Sequence, residues 1–129
     1  MRAIDTNIIV RFLTADDHKQ SQAARAAVSA GEIFIPTTVL LESEWVLRSG
    51  YEFTVDQIAK GLRGLAGLPG ITLEEPMAIA QALTWMVEGM DFADALHLAK
   101  SQQCNAFLTF DRKLVKAAKA RSPITVEML

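Results

Sequence analysis

The chain has a single cysteine, Cys104, among 129 residues, which excludes an intramolecular disulfide and a thiolate metal cluster. The habit of free cysteine predicts a small core residue at that position. Long hydrophobic runs are missing as well. No stretch approaches the roughly 20 apolar residues that a membrane helix needs, so no membrane partner is expected. Met1-Arg2-Ala3-Ile4-Asp5 leads straight into strand-like sequence without the layout of a signal peptide, which predicts a cytoplasmic protein. There is no basic excess: 13 Lys and Arg stand against 15 Asp and Glu, for a formal charge of −2. That balance argues against a whole-surface nucleic-acid binder and leaves a local basic patch open. Repeats, linkers and low-complexity tracts are absent too. What is present is 50% hydrophobic residues in a length that suits one domain, residues 1–129, with a core of its own.

Helix and short-strand signals alternate along the chain. Residues 2–5, 33–36, 71–73, 106–109 and 124–126 read as strands. Residues 6–13, 17–30 and 37–48 read as helices, the third capped by Thr37 or Thr38 and stopped at Gly50. Thr54 caps a helix over 55–65, Pro76 opens one that runs to Glu88, Asp91 starts one to Gln103, and Arg112 to Lys119 is the last. Five short apolar strands separated by helices imply parallel pairing covered on both faces. The expected fold is α/β, a three-layer α/β/α sandwich with a central, mainly parallel sheet of about five short strands. Ligands gather at the carboxyl ends of strands in such sheets, where Asp5 and Asp111 fall.

Four lone acids sit in largely apolar sequence: Asp5 after a short strand, Glu42 within Val39-Leu40-Leu41-Glu42-Ser43, Asp94 within Phe92-Ala93-Asp94-Ala95-Leu96, and Asp111 after Phe107-Leu108-Thr109-Phe110. A buried, unpaired carboxylate protonates or finds a partner, and no Lys or Arg lies within one helical turn of Asp94. A divalent metal is the economical common partner. Val39, Glu42 and Val46 share a helix face, so Glu42 is expected to interrupt an apolar stripe. Glu44 stands four residues before Arg48, an arrangement that predicts a solvated ion pair. Asp91 and Asp94 are neighbours on one helix face, and Asp91 also suits an N-cap. Asp94, read as mid-helix, needs a tertiary reason.

Ile4-Asp5-Thr6-Asn7, the segment around Glu42, Asp91-Phe92-Ala93-Asp94-Ala95-Leu96-His97 and Leu108-Thr109-Phe110-Asp111-Arg112 together resemble the PIN-domain ribonucleases, specifically the VapC-type toxins of toxin–antitoxin pairs. The resemblance covers essentially the whole chain. It implies a PIN-like nuclease domain with Mg²⁺- or Mn²⁺-dependent endoribonuclease activity, homodimerisation, and neutralisation by a cognate VapB-type antitoxin. The acidic quartet maps onto Asp5, Glu42, Asp94 and Asp111, with Asp91 as an occasional fifth acid and Thr6, Asn7 and Thr109 as supporting polar groups. Glu44 is a second candidate for the helix acid.

Charge chemistry agrees with that assignment. Two carboxylates ~4 Å apart repel by roughly 4 kcal/mol at an effective dielectric near 20, which a cation relieves. Carboxylates and water suit Mg²⁺ and Mn²⁺ rather than Zn²⁺. Asp5, Asp94 and Asp111 are expected to hold the first ion, and Glu42 to bind a second or take a proton from water. Arg11, Arg48, Arg112 and Lys113 are candidate contacts to RNA phosphates. His97 is read as a helix-packed histidine bonded to backbone, and Trp45, Trp85, Met90 and Phe92 as core or dimer contacts. Two alternatives stand beside the ribonuclease: a catalytically silent PIN-like protein-binding module, and a different Mg-dependent phosphate hydrolase.

Overall fold

A computed structural model describes residues 1–129. The elements in chain order are β1 (Arg2–Ala3), α1 (Thr6–Leu13), α2 (His18–Ser29), β2 (Ile33–Ile35), α3 (Thr37–Gly50), α4 (Val55–Ala66), β3 (Ile71–Leu73), α5 (Pro76–Val87), α6 (Phe92–Ala99), β4 (Ala106–Thr109), α7 (Arg112–Lys119) and β5 (Thr125–Met128). The chain forms two compact units, Met1–Pro76 and Met77–Leu129. All five strands pair in parallel, as the alternation of helix and strand predicts, in one three-stranded and one two-stranded sheet.

In the first unit the order is β1-β2-β3, with Ala3 opposite Phe34 and Phe34 opposite Thr72. Each step to the next parallel strand uses a helical crossover, α1–α2 and then α3–α4, because parallel neighbours cannot be joined by a tight turn. The central strand is the most enclosed: Ile33 and Ile35 are fully buried. α1 packs on both α2 and α3. Its start is fixed by Asp5, whose carboxylate accepts from the Ile8 amide, and α2 starts the same way at Asp17, onto Gln20. Thr54 forms a full capping box with Gln57. The start of α3 departs from the sequence expectation. Pro36 is the N-cap and supplies no side-chain bond; Glu74, at the end of β3, accepts from the Thr37 amide at 2.8 Å instead.

Gly70 sets the entry to β3. Its φ is +78°, and a Cβ there would stand 2.8 Å from the Gly31 Cα and 3.0 Å from the Glu32 nitrogen. Those are backbone atoms of the turn before β2, and the Ile33 amide donates to the Gly70 carbonyl. Gly70→Ala therefore combines a left-handed backbone, costing roughly 1–2 kcal/mol for an L side chain, with a clash that cannot relax by a rotamer change. Gly64 differs, since nothing lies within 4 Å of its added Cβ and it sits in α4. Thermal melts should show Gly70→Ala lowered and Gly64→Ala raised, the latter by up to about 1 kcal/mol of helix propensity.

In the second unit α5 and α6 precede the β4–β5 pair, in which Ala106 stands opposite Thr125 and Thr109 opposite Met128. α7 packs on both strands. Leu83, Phe92, Leu96 and Leu98 are buried. Arg121 donates to the Glu88 carboxylate and carbonyl and to the Ala117 carbonyl, tying the end of α7 to the end of α5. Cys104 is exposed in the turn before β4, which corrects the expected core position. The helix from Asp91 ends at Ala99 rather than Gln103, and Gln102 bonds back to the Leu98 carbonyl. No helix is long and apolar enough to cross a membrane.

Candidate functional site

Asp5, Asp91, Asp94 and Asp111 lie at helix starts, and Glu42 lies within α3. Asp5 is the N-cap of α1, and Thr6, the first helical residue, is buried and donates its hydroxyl proton to the Glu42 carboxylate. That contact brings Asp5, Thr6 and Glu42 into one neighbourhood of the first unit. Asn7 is exposed beside them. In the second unit Asp111 is the N-cap of α7, accepting from the Lys113 and Leu114 amides at 2.9 and 3.3 Å. Thr109, the last residue of β4, accepts from the Asp111 amide with its hydroxyl oxygen at 3.0 Å. Asp91 caps α6, accepting from the Asp94 amide at 3.1 Å, so its N-cap reading holds.

Several expectations about burial change. Asp5, Glu42 and Asp111 are exposed, and among the quartet only Asp94 is half-buried. Asp94 lies in the first turn of α6, where a carboxylate is favoured by the helix dipole, rather than mid-helix. On α3 the buried positions are Thr37, Leu40, Ser43, Glu44 and Leu47. The stripe therefore runs through Glu44, which is 3% exposed and bonded to the Arg48 Nε at 2.7 Å. The predicted i,i+4 pair exists, but its acid is in the interior and Glu42 faces solvent. His97 is exposed, not packed as expected. Met90, Phe92 and Trp85 are buried, whereas Trp45 is 59% exposed.

Asp91, Asp94 and Asp111 line one cleft of about 290 Å³, with Gly89, Lys113 and Leu114. The carboxyl of Asp94 is pushed above the usual aspartate range, first by burial and then by the charges of Asp91 and Asp111, partly offset by His97. The sign of the stability effect follows directly. A carboxyl that holds its proton more tightly in the folded chain stabilises the fold when protonated and loses that contribution as pH rises through the folded value. Metal-free Asp94→Asn should melt no lower than the parent at neutral pH, with its advantage shrinking as pH falls through the carboxylate range. A variant that melts well below the parent at pH 7 would show that neither burial nor repulsion disfavours the Asp94 charge.

The three acids of the cleft offer carboxylate oxygens, which suit a hard divalent cation, and both the burial and the repulsion that raise Asp94 are offset by such a cation. Donor chemistry thus fits Mg²⁺ or Mn²⁺. As the side chains stand, however, no three His, Cys, Asp or Glu groups are close enough to hold a metal ion; the cleft presents the charge without closed coordination.

Of the expected phosphate contacts, two are engaged elsewhere. Arg11 bonds to Asp16, Gln20 and Tyr51, and Arg48 to Glu44. In that first cluster the Tyr51 hydroxyl donates to Asp16 at 2.7 Å and holds the Asp16 carboxyl below its usual range. No local sequence signal marks this network, because Asp16 and Tyr51 are 35 residues apart. Arg112 and Lys113 are exposed and follow Asp111 directly.

A model of the PIN domain family matches residues 3–120. That span takes in every acid named above. A comparison with curated proteins gave no match. PIN domains are commonly nucleases, which supports a hydrolase of broad kind, and they typically use divalent metals. The chain belongs to the PIN domain family.

Proposed function

We propose that this protein is a metal-dependent endoribonuclease, the toxin component of a type II toxin–antitoxin pair, hydrolysing RNA phosphodiester bonds with Asp5, Glu42, Asp94 and Asp111. On this reading the two units act as one nuclease domain in the cytoplasm. The observation that carries it is the cleft shared by Asp91, Asp94 and Asp111, where the Asp94 carboxyl is raised first by burial and then by two neighbouring negative charges on the PIN frame. Asp5, Asp94 and Asp111 would hold Mg²⁺ or Mn²⁺, and Asp91 would add a fifth acid. When bound, the ion supplies charge stabilisation at the phosphate and a more acidic water. Glu42, oriented by the Thr6 hydroxyl, takes the proton of the attacking water. Thr109 keeps the Asp111 backbone in place. Arg112 and Lys113 bind the phosphates flanking the cleft.

Incubation of RNA with the purified chain tests this: cleavage with Mg²⁺ or Mn²⁺, none with chelator, and no release from acyl or aryl phosphates. The basic pair has its own signature. Arg112→Ala with Lys113→Ala should weaken single-stranded RNA binding and flatten its salt dependence by about 0.7 in the log–log slope for each phosphate no longer neutralised. An unchanged slope would remove both residues from the interface.

A homodimer and a VapB-type antitoxin complete the proposal. Support for a second chain comes from large exposed apolar groups, Trp45 on α3 and Met77 on α5, of the kind that partner surfaces cover. Light scattering at micromolar concentration checks the dimer. A catalytically silent protein-binding module is the second reading, favoured by the lack of any three acids at metal-holding distance; RNA that stays intact with every divalent ion would select it.

A further inference from the structure

Phe110 has no role in the acidic chemistry and no place in the core. Its ring is 80% exposed, and Leu108, two residues earlier on β4, is 55% exposed. Phe107 before Leu108, and Thr109 between Leu108 and Phe110, are half-buried. Phe110 is held between two fixed points. Thr109 ends the β4–β5 ladder, where its carbonyl accepts from the Leu129 amide, and Asp111 is pinned by its cap bonds to Lys113 and Leu114. An aromatic ring that is displayed by a constrained backbone has already lost much of the freedom that binding would remove. The two residues after Asp111 are the exposed cations Arg112 and Lys113. Six consecutive positions thus present an apolar face, a ring, an acid of the cleft and two positive charges.

That pairing of an exposed ring with nearby cations matches how unpaired nucleic acid is held, by base stacking on the aromatic and phosphate contact with the basic groups. We propose that Phe110 is a stacking platform for one unpaired base of the RNA, positioning the adjacent phosphate at the Asp111 end of the cleft. The charge complementarity of Arg112 and Lys113 selects RNA over an apolar protein partner as the occupant. Neighbouring Cα atoms are ~3.8 Å apart, so a base on Phe110 belongs to a nucleotide next to, or one removed from, a phosphate at Asp111. The substrate class that follows is single-stranded or looped RNA, since a base inside a duplex cannot offer its face. This inference rests on the ribonuclease reading and deepens it.

The test uses a fluorescent single-stranded RNA in chelator, where it is not cut, with binding followed by anisotropy. Phe110→Ala should weaken binding about 5- to 150-fold, the range of one missing base stack, and Phe110→Trp should restore it. Binding of a duplex of the same sequence should not respond to either change. In Mg²⁺ the Ala variant should raise KM more than it lowers kcat. A set of strands each lacking one base should contain one position whose removal matches the effect of Phe110→Ala and adds nothing to it. Equal single-strand binding by parent and Phe110→Ala overturns the platform, even if the parent cleaves RNA. A change of oligomeric state in Phe110→Ala also overturns it, because the ring would then belong to a contact between chains. A parent that binds the strand through Phe110 yet never cleaves it would retire the nuclease reading alone.

Discussion

Asp111→Asn and Asp94→Asn are each expected to lose RNA cleavage on the order of 10³-fold while remaining folded. Several kcal/mol of transition-state charge stabilisation are at stake when a metal-binding carboxylate is removed, and each ~1.4 kcal/mol is a factor of ten. The asparagine substitution is chosen for what the structure shows about Asp111. Its carboxylate accepts from the Lys113 and Leu114 amides, and asparagine is as good an N-cap as aspartate. Alanine would remove the cap as well, at about 1 kcal/mol, and would confuse a stability loss with a chemical one. Asp5 caps α1 in the same way, so Asp5→Asn carries the same logic. Rates at saturating Mg²⁺, measured together with thermal melts, check all three. Parent-level cleavage by any one of them would remove that residue from the catalytic set.

The caps also explain how much was legible in the sequence. Thr54 and Asp91 mark helix starts through side-chain bonds to amides three residues ahead, a local interaction that residue type and spacing reveal; Asp17 and Asp111, not read as caps, form the same kind of bond. Parallel pairing was legible for a similar reason, since each strand step contains a helix-length segment. What could not be read was decided by distant partners. Glu74 caps α3 from 37 positions away, and this made the expected threonine cap unnecessary. Thr6 reaches Glu42 across 36 positions. The exposure of Cys104 and of Phe110 depends on where a chain turns, and apolar character alone does not give it. Three of the four quartet acids are exposed, so apolar sequence around an acid was a poor pointer to its burial.

The phase of α3 yields the second large effect. Helical spacing around Val39, Glu42 and Val46 suggests one stripe, whereas the buried set Leu40, Ser43, Glu44 and Leu47 follows i, i+3, i+4 and i+7 and defines the other face. Serine is accommodated there because its hydroxyl bonds back to the Val39 carbonyl at 2.7 Å. Glu44 is accommodated because the Arg48 guanidinium meets it twice, at 2.7 and 3.4 Å. Removing one partner of a buried ion pair costs about 3–5 kcal/mol, and the Arg48 side chain is 45% exposed, so water screens part of that loss. Glu44→Gln should therefore destabilise by roughly 1–3 kcal/mol, near 3–5 °C in Tm for each kcal/mol in a chain of this size. Glu42→Gln should leave Tm almost unchanged, because the residue faces solvent and the amide oxygen can still accept from Thr6. Activity should divide the other way. Glu42→Gln loses cleavage at full stability, and Glu44→Gln retains it at temperatures where the chain stays folded. Equal melting temperatures with activity abolished only at Glu44 would transfer the catalytic role to the interior acid and break the proposed link between Thr6 and the chemistry.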